Sequence, residues 1–115
     1  MKKDIITIIN SINLDDLKAQ IKAAYRKARK LHEAGDRDAA YKIEDKACEL
    51  EDLEQVVKGY REEKAAAERE SIWAYRYYYS LSPYEEDNSN HLVAEHNRWA
   101  DEYLKDAARI LGIAA

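Results

Sequence analysis

Leu31-His32-Glu33-Ala34-Gly35-Asp36-Arg37-Asp38-Ala39-Ala40 decides the architecture of this chain, because a helix stop and a helix start stand side by side in it. A glycine closing a helix adopts the left-handed C-cap conformation that other residues avoid. An aspartate in the next position accepts hydrogen bonds from the first free N–H groups of a following helix. With no residue to spare between Gly35 and Asp36, the two helices must run antiparallel.

Upstream of the turn, Leu14, Leu17, Ile21, Ala24, Ala28 and Leu31 step by three and four, which draws one apolar stripe along a helix over about 14–34. Asn13 is its N-cap, and Asp15 and Asp16 sit in the first turn, at the positive end of the helix dipole. Lys27, Arg29 and Lys30 sit toward the negative end. Downstream, Ala40, Ile43, Ala47, Leu50, Leu53, Val57 and Tyr60 continue the stepping. No breaker follows until Ser82-Pro83, so the spacing predicts a long helix over about 37–81, close to 70 Å at about 1.5 Å per residue. Gly59 is its weak point, and a helix of that length is expected either to bend there or to protrude as part of a coiled coil, which is also a route to homo-oligomers.

The rest of the chain agrees with an all-helical reading. Three glycines and one proline leave almost none of the turn punctuation that strand-rich folds need. Charged residues make up 37% of the chain, as in long solvated helices. Ile5, Ile8, Ile9 and Ile12 fall at helical spacing, so a short N-terminal segment over 4–12 is expected to dock on the core. Ser82-Pro83-Tyr84-Glu85 has the form of a capping box with proline at the first helical position, and residues 82–90, with Asp87-Asn88-Ser89-Asn90, read as a loop. A last helix is expected over about 91–111, with Leu92, His96, Trp99, Tyr103, Ala107 and Ile110 on one face, widened by Leu104 and Leu111, and Gly112 as its stop. The expected fold is a single domain over 1–115, a three- to four-helix bundle around a central antiparallel hairpin.

Ala24 to Leu50, with Leu31, Gly35-Asp36, Ala39, Ala40 and Ala47, resembles one tetratricopeptide-type hairpin. That family stacks such hairpins every 34 residues. Here Arg69 and Glu70 stand where a second Gly-Asp pair would fall, and no proline ends the unit, so a repeat array is not expected.

Function has less to rest on. Trp73, Tyr75, Tyr77, Tyr78 and Tyr79, with Arg76 among them and Tyr84 beyond, crowd into twelve positions of a chain without phenylalanine. Neighbouring residues on a helix differ by about 100°, so Tyr77, Tyr78 and Tyr79 cannot share one face. Trp73 and Tyr77, four apart, are expected in the core. Tyr75, Arg76, Tyr78, Tyr79 and Tyr84, with the acidic Glu85-Glu86-Asp87 beside them, are the candidate partner-binding surface, since Tyr, Trp and Arg dominate protein interfaces.

Charge is uneven along the chain. Residues 13–34 balance to +3 and residues 36–54 to −5, within an overall −4. Lys22, Arg26, Arg29 and Lys30 share the outward face of the first long helix and form the alternative, a nucleic-acid-binding surface opposed by the acidic helix beside it. The converse reading is an acidic surface that imitates nucleic-acid phosphates, although such mimics carry a larger negative excess than −4.

His91, Glu95 and His96 lack the spacing of a zinc motif and have no evident third ligand. Cys48, the only cysteine, reads as a buried inert thiol and cannot form an internal disulfide. No glycine-rich phosphate loop or cofactor fingerprint occurs. No cofactor, metal or enzymatic activity is therefore expected. No apolar run approaches the roughly 18 residues of a membrane span; with no signal cleavage site after the isoleucine-rich start, a cytoplasmic location is expected. The resulting expectation is a non-enzymatic module that binds a protein partner, of the type common among phage and plasmid inhibitors of host machinery such as anti-CRISPR proteins. The alternative is a nucleic-acid-binding accessory protein using the basic helix face.

Overall fold

A computed structural model describes residues 2–76 and 83–112, with side chains at all of these except 2, 74–76 and 83–87. Every described element is helical: α1 (Lys2–Ser11), α2 (Leu14–Glu33), α3 (Arg37–Arg76) and α4 (Pro83–Leu111). α3 is the spine, packing along α2 on one part of its length and along α4 on another, while α1 packs on α4. The molecule is a rod of 68 × 25 × 21 Å with a radius of gyration of 19.6 Å, against about 13 Å for a compact chain of this length.

The hairpin turn is built as its residues dictate. Gly35 holds φ +84°. Its N–H donates to the His32 carbonyl at 3.0 Å, and the Asp36 N–H reaches back to the Leu31 carbonyl at 2.9 Å, the paired bonds of a Schellman ending. Asp36 also caps α3, its Oδ1 accepting from the Ala39 N–H at 3.3 Å. At the other end of α2, Asn13 Oδ1 accepts from the N–H groups of Asp15 and Asp16 at 2.9 and 3.2 Å.

All four helices meet in one apolar core. α1 contributes Ile5 and Ile9, α2 Leu17 and Ile21, α3 Leu53, Val56, Val57 and Tyr60, and α4 Ala100, Leu104, Ala107 and Ala108. Arg61 ties the end of α1 down: its guanidinium donates to the carbonyls of Ile9 at 2.9 Å, which also accepts from the Ile12 N–H, and of Ile12 at 2.6 Å, just past the helix. Beyond this core the rod narrows to helix pairs. Toward the Gly35 turn, the α2/α3 seam is lined by buried Ala28, Ala40 and Ala47. Toward the opposite end, the α3/α4 seam holds buried Ala67 and three polar pairs: Glu63 with His96, Lys64 with Asn97 and Glu70 with Ser89.

Four expectations are corrected. α3 neither breaks nor stops at Gly59, which is buried inside a continuous helix. A Cβ there would lie 2.8 Å from Tyr103 Cε2 and closer still to Cε1 and Cζ, so glycine is needed for the ring of α4 to pack against the α3 backbone. Residues 83–90 are not a loop, because α4 starts at Pro83 and runs through Asp87-Asn88-Ser89-Asn90. Ser89 is only 1% exposed and donates to Glu70 Oε1 at 2.6 Å, which gives this polar run a helical place. The buried stripe of α4 centres on Ala100, Leu104 and Ala107, leaving Trp99 51% exposed on its flank. Cys48 is exposed, because the α2/α3 seam closes over Ala47 beside it.

Candidate functional site

The aromatic segment begins at the far end of α3. Trp73 is 42% exposed and Ile72 46%, so Trp73 is not the core residue that its spacing predicts. Among the described elements, α4 is the helix beside α3 at this end, since α1 and α2 lie toward the other. Tyr75 and Arg76 continue the helical backbone of α3, and Tyr84, Glu85, Glu86 and Asp87 lie in the first turns of α4. Their side chains, and Tyr77, Tyr78 and Tyr79 altogether, lie outside the described residues. Farther along α4, Trp99 is also exposed, with the Arg98 guanidinium 5.6 Å from its ring centroid.

Lys22, Arg26, Arg29 and Lys30 are all exposed on α2. Arg29 spends part of its charge on Glu33, one turn on, at 3.5 Å. Lys22 borders a shallow groove of about 390 Å³ between α2 and α3, with Lys18 and Ile21 on one wall and Glu51, Asp52, Glu54 and Gln55 on the other. A phosphate backbone following the basic face would therefore meet carboxylates at its edge.

Sequence reasoning missed the side chains next along this flank. The Tyr25 hydroxyl lies 3.8 Å from Cys48 Sγ. Its hydrogen bond to Glu51, and then that to Cys48, hold the phenol protonated well above its ordinary range. His32 Nε2 lies 2.6 Å from Glu44 Oε1, while its ring meets the edge of Tyr41 at 5.3 Å and 75°. Tyr25 and Tyr41 are 39% and 53% exposed. The available signal was spacing: Lys18, Lys22, Tyr25, Arg29 and His32 step by four and three beside the apolar stripe of α2, as Tyr41, Asp45, Cys48, Asp52 and Gln55 do on α3.

The histidines of α4 serve different partners. His91 Nε2 stands 3.9 Å from Glu95 Oε2 on the same helix, whereas His96 Nδ1 lies 2.6 Å from Glu63 Oε2 across the α3/α4 seam. Among the described residues, no three His, Cys, Asp or Glu side chains converge in a way that would hold a metal ion. No described helix is long and apolar enough to cross a membrane. In comparison with known proteins, no family model, no curated protein and no solved structure matches this chain.

Proposed function

We propose that the protein is a non-catalytic binding module that captures a protein partner through the aromatic end of the rod. The observation that supports this is the exposure of Ile72 and Trp73 on the last described turns of α3, next in sequence to Tyr75, Arg76, Tyr77, Tyr78 and Tyr79. Adjacent large apolar side chains left in water beside more aromatics form the kind of surface that a partner desolvates. Tyr, Trp and Arg give such a contact most of its energy, because they bury large areas at little rotamer cost. Tyr84, Glu85, Glu86 and Asp87, in the first turns of α4, are the polar residues assigned to the same contact by sequence. Small, charged, wholly helical inhibitors of host machinery, as phage and plasmids encode and anti-CRISPR proteins exemplify, fit this reading by type.

The test is an affinity capture with the purified chain as bait, comparing wild type with Ile72→Ser/Trp73→Ala. Both side chains are half exposed, so the variant should keep its helicity and most of its melting temperature. It should lose about 2 kcal/mol of binding, roughly thirtyfold, for whatever protein the wild type retains. Undiminished capture by the variant would overturn the reading. The exposed row Lys22, Arg26, Arg29 and Lys30 gives the alternative its only support. If nucleic acid is what is retained, and retention falls steeply between about 50 and 200 mM salt, the nucleic-acid reading replaces this one.

A further inference from the structure

We infer that the flank of the α2/α3 hairpin carrying Tyr25 and Tyr41 is a self-association surface, covered by a second copy of this chain related by a two-fold axis parallel to the helices. This surface lies away from the aromatic end of the rod and does not depend on the partner proposed for it.

Two rows of side chains make up the flank, each with the alternating four-and-three spacing of a helix-to-helix seam. On α2 they are Lys18, Lys22, Tyr25, Arg29 and His32; on α3 they are Tyr41, Asp45, Cys48, Asp52 and Gln55. Three observations put both rows on one side of the hairpin. Lys18 and Lys22 share a groove with Asp52 and Gln55. Tyr25 meets Cys48, and His32 meets Tyr41. Arg29 and Asp45 fall between these anchors. All ten are exposed except His32, which is half buried.

The rows have opposite sign. Lys18 and Lys22 on one, and Asp45 and Asp52 on the other, are exposed and have no ion-pair partner among the described residues. A two-fold axis parallel to the helices preserves height along them and exchanges the rows. It lays α2 of each copy over α3 of the other, with Lys22 facing the other copy's Asp52 and Arg29 facing the other copy's Asp45. Tyr25, Tyr41 and Cys48 then fill the centre of the contact. A perpendicular two-fold in the same plane would stack basic row on basic row and is repelled. The hairpin face is about 30 Å long, for 20 residues at about 1.5 Å each, and two helices wide, which gives about 600 Å² per copy. Stable interfaces bury about 800 Å² per partner, so this dimer is weak and depends on its charges.

Sedimentation of the full chain at about 100 μM decides the matter, first at low salt and then near 0.5 M, where charge attraction is screened within a few ångströms. A dimer at low salt that dissociates at least tenfold more readily at high salt is expected. Lys22→Glu/Arg29→Glu alone and Asp45→Lys/Asp52→Lys alone should each be monomeric, and an equimolar mixture of the two should regain the dimer mass. A wild-type chain that stays monomeric at low salt overturns the inference, whatever the folding of the variants. A dimer unaffected by salt, or one abolished by Ile72→Ser/Trp73→Ala and not by charge reversal, overturns it as well.

Discussion

α3 passes through two environments. Around Val57 and Tyr60 it is enclosed by three other helices, and these side chains are 0% and 6% exposed against isoleucines and leucines. Two turns on, α4 is the one described helix beside it, and the contacts become Ala67, the Glu63–His96 pair and the Glu70–Ser89 hydrogen bond. Two helices cannot enclose large side chains from all sides. Their seam is therefore narrow and polar, and among the described residues at this end Ile72 and Trp73 lie on its outside. The centre of the rod is where stability comes from; its ends hold exposed side chains that stability does not require.

Substitutions can break or sharpen that contrast. The largest effect belongs to the centre: Ile9→Ala removes a wholly buried side chain and should cost about 3 kcal/mol in urea unfolding, whereas Trp73→Ala should cost about 1 kcal/mol or less. Equal losses would mean that the far end of α3 is as well enclosed as the middle. Next comes Gly35→Val, expected to lower stability by at least about 1 kcal/mol, because a β-branched residue is strained at φ +84° although there is open space around the position.

Gly59→Ala should cost about 1 kcal/mol in the wild type, since the new methyl meets the Tyr103 ring. In a Tyr103→Ala background it should instead stabilise by up to about 1 kcal/mol, the helix-propensity gain of alanine over glycine. A double-mutant cycle without this change of sign would show that Tyr103 is not what keeps position 59 a glycine. The smallest effect is spectroscopic. Tyr25 should ionise well above the ordinary phenol range in an alkaline absorbance titration, and Tyr25→Phe should remove that late component. A folded-state phenol pKa raised above the unfolded value of about 10 means that the stability this proton provides is complete below about pH 10 and declines above it. Tyr25→Phe should therefore remove this group's share of the decline in stability above about pH 10.

The candidate sites were less legible than the fold. Trp73 reads as core by its four-residue spacing to Tyr77, but spacing reports which side chains share a face and not whether a neighbour covers that face. Tyr25, Tyr41 and Cys48 flank a strong apolar stripe, which dominates the local pattern; the α2/α3 contacts place them on one surface. The run Asp87-Asn88-Ser89-Asn90 looked like a loop by composition, and only Glu70 waiting across the seam explains why Ser89 is helical and buried.

By itself the sequence determined the all-helical class, the antiparallel α2/α3 hairpin, the Asn13 and Asp36 caps and the buried stripe of α2. All of these follow from interactions within a few residues, namely backbone capping, the left-handed glycine and the 3.6-residue period. Tertiary structure decided that α3 runs on past Gly59, where α4 begins, which face of α4 is covered and that Trp73 and Trp99 remain in water. Those depend on which helix lies across which, a relation between residues far apart in the chain, such as Gly59 with Tyr103 or Arg61 with the end of α1, that no local pattern encodes.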